Sequence, residues 1–283
     1  MSSGFKEYKS ICRTVGGNEG AKCKYNTRLD VYGCGCSHDC KYCYAKSLLS
    51  FRGLWDADAP RVANLKKVET AIAKLKKHTI VRLGGMTDCF QPLEEKKRIT
   101  LETIKLLNAY DIGYLIVTKS HLVANDEYLA VFNKRLAHIQ ISVTCLDDVI
   151  AGDYERASPP SKRLKAIYDL HRAGLDVALR LSPLMEEYID FDMLNSLSIS
   201  KCLVEFLRVN STIKKWFPAV DYTKYTVKHS NYYHLPLAEK IRILQKIKFG
   251  NISICEDVTE HYDYWKKHYN PNSDDCCNLG FMA

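Results

Sequence analysis

The chain alternates short apolar runs with longer segments that have helical periodicity. The runs have the length of strands and are rich in β-branched and aromatic side chains, which is typical of buried strands. We predict six strands, at residues 29–32, 79–83, 113–118, 138–143, 176–181 and 203–207.

Amphipathic helices are predicted between these strands. The clearest follows the Ser-Pro-Pro-Ser segment at 158–161 and places Leu164, Ile167 and Leu170 on one face; another covers 94–109. Strand–helix repetition implies parallel strands joined by right-handed crossovers, so we expect an α/β fold, either an open sheet or a barrel. In such folds the chemistry lies at the carboxyl ends of the strands.

Composition is that of a folded protein with a substantial core. Of 283 residues, 46% are hydrophobic and 26% are charged, which excludes a disordered chain. Because no flexible linker or short repeat interrupts the pattern, we predict a single domain over 1–283. The sequence contains no run of about 18 apolar residues, so we expect no membrane-spanning helix. The first residues lack the apolar stretch of a secretory signal, so we expect a cytoplasmic protein.

Basic residues outnumber acidic ones, 41 to 33. A basic surface attracts nucleic acid, but the lysines near 65–77 decorate the polar side of an amphipathic helix, so we favour simple solvation. The 12 cysteines are more unusual. In a reducing compartment such thiols serve as metal ligands, reactive groups or small buried hydrophobes rather than as disulfides.

Three of the thiols follow the first predicted strand at close spacing. Cys36, Cys40 and Cys43 form a C-x3-C-x2-C pattern, short enough for one loop to surround a single inorganic cluster. A [4Fe–4S] cluster has one thiolate per iron in ordinary sites. Three ligands therefore leave one iron open for a small chelating molecule.

Other interpretations of this loop remain. A zinc site needs a fourth ligand, which Cys34, His38 or the distant Cys276–Cys277 pair would have to supply. A redox pair formed by Cys40 and Cys43 leaves Cys36 unexplained. Chance clustering of buried thiols is the third possibility, and we consider it improbable in a glycine-rich loop.

The loop resembles the cluster motif of the radical S-adenosylmethionine (SAM) superfamily, C-x3-C-x-aromatic-C, with Tyr42 as the aromatic residue. The resemblance implies a partial (β/α)6 barrel, here with a core at about 29–210. It also implies that 211–283 is an extension that closes the barrel and shapes the substrate site. The cofactors implied are a [4Fe–4S] cluster and SAM, whose reductive cleavage gives a 5′-deoxyadenosyl radical that abstracts a substrate hydrogen. An electron donor such as flavodoxin or ferredoxin is also implied.

Motifs at the strand ends resemble the spore-photoproduct-lyase-like branch of that superfamily. They are T-D-x-x-Q-P-x-E at 87–94, T-K-S at 118–120 and R-L-S-P at 180–183. The resemblance implies SAM-binding roles for Tyr42, Gly85, Thr87, Asp88, Lys119, Ser142, Thr144, Arg163 and Ser182. Among these, Arg163 is expected to reach the SAM carboxylate, and Thr87 and Asp88 its ammonium group.

The substrate is less well defined. Lyases of this branch keep a hydrogen-donating cysteine in the loop after the second strand, where this chain has Cys89, displaced past Asp88. We take Cys89 as the candidate catalytic thiol. Glu205 and Arg208 are candidate substrate-binding residues: Glu205 suits a guanine-like edge, with a structural ion pair to Arg208 as the alternative.

The compact form of the chain is similar to the queuine lyases of gut clostridia, members of the same branch. This similarity implies C–N cleavage of queuine that releases 7-aminomethyl-7-deazaguanine, and hence a small nucleobase substrate. Two alternatives stay open: a repair lyase for a thymine photoproduct in DNA, and a metal-binding module without enzymatic activity. Duplex nucleic acid is disfavoured because no DNA-binding motif occurs in the chain.

Overall fold

A sheet of eight strands forms the centre of the fold. The computed structural model describes residues 7–272 and 274–279. The strands are β1 (Glu7–Tyr8), β2 (Cys12–Thr14), β3 (Thr27–Leu29), β4 (Tyr32–Gly33), β5 (Arg61–Ala63), β6 (Ile80–Leu83), β7 (Gly113–Thr118), β8 (Ala137–Val143), β9 (Asp176–Leu184), β10 (Cys202–Phe206), β11 (Val227–His229), β12 (Tyr232–His234) and β13 (Ile252–Ile254).

Helices separate the strands along the chain. The α-helices are α1 (Gly17–Lys22), α2 (Tyr44–Phe51), α3 (Leu65–Ile72), α4 (Glu94–Lys97), α5 (Ile99–Ala109), α6 (Asp126–Leu129), α7 (Asp148–Gly152), α8 (Pro160–Arg172), α9 (Phe191–Asn195), α10 (Ser211–Trp216), α11 (Leu237–Leu244) and α12 (Thr259–His268). Three short 3₁₀ helices lie at His121–Ala124, Glu186–Tyr188 and Tyr222–Lys224. Across the described part of the chain, no helix has the length and apolar content needed to cross a bilayer.

The sheet has the order β13-β10-β9-β8-β7-β6-β3-β2, and only β2 runs antiparallel to its neighbour. The sheet is curled. Leu115 of β7 and Leu203 of β10 belong to one hydrophobic cluster, although β8 and β9 lie between these strands in the sheet. The enclosed side is a lumen. The predicted α/β fold with parallel strands is confirmed, and β13 adds a seventh parallel strand beyond the predicted six.

Side chains alternate between the lumen and the outer helices. On β7, Tyr114 and Ile116 belong to the large core under the helices, whereas Leu115 and Val117 belong to the lumen cluster. This alternation is the period of two that a strand imposes. The helix predicted after the Ser-Pro-Pro-Ser segment is confirmed as α8.

The first predicted strand, 29–32, has the wrong boundaries. The barrel strand β3 ends at Leu29, and Tyr32 belongs to β4, which pairs with β5 in a separate small sheet. Asp30 lies at the break. Its backbone N–H donates to the Ile11 carbonyl, and its carboxylate accepts from the backbone N–H of Gly85 at 3.0 Å. After this residue the chain leaves the barrel sheet and enters the small sheet.

The helix predicted over 94–109 is broken into α4 and α5. Arg98 between them has a φ of 55°, in the left-handed region. The buried Glu94 carboxylate accepts from the backbone N–H groups of Thr100 at 2.9 Å and Leu101 at 3.0 Å, so it caps the start of α5. A helix start needs such acceptors for its free N–H groups.

Glu94 also accepts hydrogen bonds from the hydroxyls of Tyr32 at 2.5 Å and Tyr128 at 2.7 Å. Glu94→Ala leaves these buried donors unsatisfied, and each such group costs about 1–3 kcal/mol. We expect the free energy of unfolding, measured in urea, to fall by about 3 kcal/mol or more. The exposed neighbour provides the control: Glu95→Ala should change it by less than about 0.5 kcal/mol. Equal effects of the two variants would contradict the assigned role.

Candidate active site

A cavity opens at the carboxyl ends of the barrel strands and continues into the lumen. It has a volume of about 1290 Å³, part of which is open to solvent. Three groups of residues line it: the cysteine loop after β4, the turns that follow β6 and β7, and a deeper end formed by residues from both ends of the chain.

Cys36, Cys40 and Cys43 all line the cavity. The loop between them folds in tight turns, since the backbone N–H of Asp39 donates to Cys36 at 3.1 Å and that of Cys43 to Cys40 at 3.2 Å. Gly35 precedes the loop with a φ of 155°, and a Cβ there would lie 1.7 Å from the carbonyl oxygen of Asp56. The backbone therefore requires glycine where the loop begins.

The three thiols are buried. Burial raises the pKa of Cys36 to about 12, and it also raises the pKa of Cys40 and of Cys43. Without a cation the thiols stay protonated at neutral pH, and binding of iron would displace their protons. Three sulfur donors that line one open cavity fit a multi-iron cluster with one iron left exposed, whereas no group of residues in the described part of the chain is arranged to hold a single metal ion.

The turn after β6 forms a shelf beside the cysteine loop. Gly84 has a φ of 82°, and a Cβ on it would lie 2.5 Å from the carbonyl oxygen of Val117. The backbone N–H of Gly85 donates to Asp30, and the hydroxyl of Thr87 donates to the Tyr32 carbonyl at 2.7 Å. One backbone and one side-chain hydrogen bond thus hold the shelf against the segment that joins β3 to β4.

Asp88 ends the shelf and joins it to neighbouring loops. Its carboxylate accepts from the Thr118 hydroxyl at 2.7 Å and the Lys119 backbone N–H at 2.6 Å, and His38 Nε2 lies 3.2 Å away. Burial raises the pKa of Asp88, but His38 and the hydrogen bonds outweigh burial and leave that pKa below its usual value. An ionised Asp88 therefore holds the cysteine loop and the β7 end together.

Most of the predicted SAM-binding residues lie on the cavity wall. Those that line it are Tyr42, Gly85, Thr87, Asp88, Lys119, Ser142 and Ser182. The ammonium group of Lys119 donates to the Ser182 carbonyl at 3.0 Å and lies 5.5 Å from the centre of the Tyr42 ring.

Arg163 and Thr144 lie behind the wall, which corrects their expected contact with SAM. The guanidinium of Arg163 is fully buried and donates to the carbonyls of Ser142 at 2.9 Å and Ser158 at 2.5 Å. It also pairs with Glu155. Its donors are thus used within the protein, so Arg163 positions the wall instead of touching the SAM carboxylate.

Glu155 connects Arg163 to the cysteine loop. Its carboxylate accepts the hydroxyl of Tyr42, the residue before Cys43, while Thr144 bonds the hydroxyl of Tyr154 at 3.0 Å. Burial raises the pKa of Glu155, but Arg163 and Lys119 outweigh it, so the net pKa is lowered.

Cys89 is not placed for hydrogen donation. It is 2% exposed, packs in the core under the helices and does not line the cavity. Its carbonyl accepts the hydroxyl of Thr100 at 2.5 Å, which holds it toward α5. The expected catalytic role of Cys89 is therefore contradicted by its position.

Glu205 and Arg208 do line the cavity, and they form the structural pair that was the alternative to guanine binding. Glu205 accepts from Arg180 at 2.5 Å, the Ser182 hydroxyl at 2.9 Å and Arg208 at 2.9 Å. Burial raises the pKa of Glu205, but the two arginines outweigh it and hold that pKa far below its usual value. Both carboxylate oxygens are already occupied.

The deep end contains residues that sequence reasoning did not assign. Arg82, Asp257 and the thiols of Cys23, Cys255 and Cys276 line it. Among these residues, only the Cys276–Cys277 doublet is recognisable in the sequence as a candidate site. The other residues lie in segments without a motif.

A family model described as the Radical SAM superfamily matches residues 31–197, more than half of the chain. The chain belongs to the radical SAM superfamily. Its cofactors are accordingly a [4Fe–4S] cluster and SAM, and the three convergent thiols and the adjoining shelf fit them. The partial barrel expected from the resemblance is also confirmed.

Curated relatives match just over half of the chain. An uncharacterised protein of Mycobacterium tuberculosis is 28% identical over 171 residues, which cover 55% of this chain and 49% of the relative. One of Methanocaldococcus jannaschii is 25% identical over 166 residues, 56% of this chain and 60% of the relative. The chain thus spans about half the length of these relatives.

Solved structures share the fold. A spore photoproduct lyase variant with bound AdoMet and dinucleoside spore photoproduct has a TM-score of 0.62 at 17% identity, over 82% of this chain and 77% of that one. SuiB of Streptococcus suis bound to S-adenosylmethionine has a TM-score of 0.51 at 14% identity, over 84% of this chain and 54% of that one.

The cluster ligands can be tested singly. In this radical SAM protein, Cys36→Ala, Cys40→Ala and Cys43→Ala should each remove most of the iron and sulfide bound after anaerobic reconstitution, because one iron loses its thiolate. Iron content, visible absorbance and the EPR signal of the reduced protein measure this. Cys12→Ala changes an exposed thiol and should retain the cluster. Full iron content in any of the three variants would refute the ligand assignment.

The buried pair behind the wall has its own test. Glu155→Gln leaves Arg163 as an unpaired buried charge, so we expect a loss of about 3–5 kcal/mol in unfolding free energy near pH 7. Because the pKa of Glu155 is lower in the folded state, its contribution is present above the unfolded pKa of about 4.3 and disappears as the pH falls through the folded value. The variant should therefore approach wild type on acidification. Asp153→Asn, at an exposed carboxylate, is the matched control; a similar loss there would contradict the prediction.

Proposed function

We propose that this radical SAM enzyme acts on a modified nucleobase in the barrel lumen. We take queuine as the first candidate substrate and cleavage of its C–N bond as the reaction. The observation that carries the proposal is the cavity itself, which continues from the cysteine loop past the shelf into an end lined by aromatic and charged side chains. Stacking and paired hydrogen bonds are the interactions that select a flat heterocycle.

Two regions of the cavity have different roles in the proposal. Near the cluster, the shelf with Lys119, Ser142 and Ser182 would hold SAM. When bound, SAM and the cluster supply a 5′-deoxyadenosyl radical, and the surrounding walls exclude water from it. The deeper end would hold the nucleobase.

The aromatic surface of the deep end is fixed. The guanidinium of Arg208 lies 4.5 Å from the centre of the Tyr44 ring, and the Tyr44 hydroxyl donates to the Gly85 carbonyl at 3.2 Å. Phe206 and Tyr262 line the same space. These rings offer faces and edges against which a heterocycle can pack.

Asp257 replaces Glu205 as the proposed acceptor for a guanine-like edge. Arg208 lies 2.8 Å from its Oδ2, whereas its Oδ1 has no donor among residues 7–272 and 274–279. Burial raises the pKa of Asp257 to about 6, so its carboxylate is mostly ionised at neutral pH and can accept N–H groups.

We also propose that 211–283 closes the barrel. Asp275 supports this, because its carboxylate accepts from the Tyr25 hydroxyl at 2.5 Å and from the backbone of Cys277 at 3.0 Å and Leu279 at 3.2 Å. The C-terminal segment is thereby attached to the N-terminal one beneath the lumen.

An anaerobic assay tests the reaction. Reconstituted enzyme, SAM and dithionite are incubated with queuine, and 7-aminomethyl-7-deazaguanine and 5′-deoxyadenosine are quantified. We expect both products to form. Asp257→Asn should lower kcat/KM about 10- to 100-fold, because a neutral amide is a weaker acceptor than a carboxylate and has an NH₂ donor in place of one of the two oxygens. Asp263→Asn, at an exposed position on α12, should leave it unchanged.

Queuine that stays intact while 5′-deoxyadenosine accumulates would reject the lyase proposal. A parallel incubation with an oligonucleotide that contains a thymine photoproduct tests the alternative. Repair of that oligonucleotide, with binding that weakens as salt rises, would favour a DNA lyase instead.

A further inference from the structure

Arg82 differs from the other arginines of the lumen because it makes no direct contact with a carboxylate of the described residues. Arg180 and Arg208 both bind Glu205. Arg82 lines the same cavity, its Nε is buried without an acceptor, and its guanidinium makes no hydrogen bond or ion pair within residues 7–272 and 274–279. Glu205 and Asp30 attract its charge only from beyond ion-pair distance, and a half-buried guanidinium whose N–H groups are unsatisfied is costly to a folded protein.

The nearby carboxylates are already engaged. Both oxygens of Glu205 accept from other side chains, and Asp30 accepts from the backbone of Gly85 and Met86. Neither forms an ion pair with Arg82. These carboxylates attract the charge of Arg82 at longer range, so what Arg82 lacks is a hydrogen-bond acceptor, and the cavity that it lines is where one can bind.

Gln140 supplies a second unsatisfied donor. It is 1% exposed, and its Oε1 accepts from Arg180 at 2.7 Å, which determines the orientation of the amide. The amide Nε2 then has no acceptor in the described chain. A buried amide nitrogen without a partner is rare and calls for an explanation.

The register of the strands places both donors on one face. Arg82 stands beside Leu115 and Gln140 beside Val117, and these two apolar residues belong to the lumen cluster. Side chains at paired positions point to the same side of a sheet. Arg82 and Gln140 therefore both face the lumen, but only Arg82 lines the open cavity, so it is the donor that a ligand there reaches. The apolar floor beside it strengthens any electrostatic contact made there.

Resting on the proposed function, we propose that the substrate carries an anionic group, a carboxylate or a phosphate, which binds the guanidinium of Arg82. Either anion accepts paired N–H groups, so either one satisfies this donor. Queuine itself carries no such group, so the subsite predicts that a nucleotide or an acidic derivative of the base binds more tightly than free queuine does.

The thiolate of Cys277 is an alternative partner for the guanidinium of Arg82. Cys277 packs in the apolar floor, and its contact with Cys276, together with Arg180 and Arg82, lowers its pKa to about 7. If its thiolate were the partner of Arg82, no external anion would be needed. The test below therefore includes Cys277→Ser.

The first measurement is thermal unfolding of the reconstituted protein in inorganic phosphate or acetate, with chloride used to keep ionic strength constant. We expect one of the two to raise the Tm of wild type in a saturable way, and which one does so identifies the anion. Arg82→Met should weaken the apparent affinity at least about tenfold, or about 1.4 kcal/mol. Arg172→Met, at an arginine on the outside of α8, should behave like wild type.

The second measurement is the Tm without either anion. Arg82→Met should unfold at the same temperature as wild type or a higher one, since an unpaired charge has been removed, and Arg82→Lys should regain part of the anion response. A lower Tm for Arg82→Met would assign it a structural role and overturn the proposal.

Two further outcomes would also overturn it: no saturable effect of either anion on wild type, or an effect that appears only in Cys277→Ser, which would make the Cys277 thiolate the resident partner of Arg82. The queuine assay on wild type stays independent of these results. An enzyme that cleaves queuine but binds neither anion would keep the proposed function and reject the anion subsite.

Discussion

The buried ion pair between Arg163 and Glu155 is the contact on which the site depends. Arg163 comes from α8 and holds the end of β8 through the Ser142 carbonyl, while Glu155 holds Tyr42 in the cysteine loop. One pair thus joins a helix, a barrel strand and the loop that carries the cluster ligands. Burying two charges is expensive, and it is offset here because each remaining donor and acceptor has a partner.

In the lumen, too, the cost of burying charged side chains is offset by ion pairs between them. Arg180, Glu205, Arg208 and Asp257 form a continuous chain of ion pairs across the deep end. Such a chain is rigid, so its polar atoms stay in place before a ligand arrives and do not have to be ordered by binding. The polar atoms that these pairs leave unsatisfied on the cavity wall, at Arg82 and Asp257, are the ones that we propose for recognition.

Much of the barrel could be predicted because its strands are buried on both sides and read as plain apolar runs. The break at Arg98 could not, because it depends on a carboxylate that caps α5 from within the core. The cluster ligands were visible as a local motif. The positions of Cys89 and Arg163 were not, since spacing along the chain does not reveal which side of a loop faces the cavity or which buried acid captures an arginine.

The deep end was the least predictable part because segments far apart in sequence build it. Lys22 donates to the carbonyl of Asp257, and Tyr25 to Asp275, so the two ends of the chain meet beneath the lumen. The family model covers 31–197, which includes the cluster and the shelf but neither of these ends. The residues that we propose for cofactor binding therefore lie inside the region that the family model covers. Those that we propose for the substrate come from both sides of its boundary, Arg82 inside it and Asp257 outside it, so the substrate has to be inferred from the atoms of the lumen.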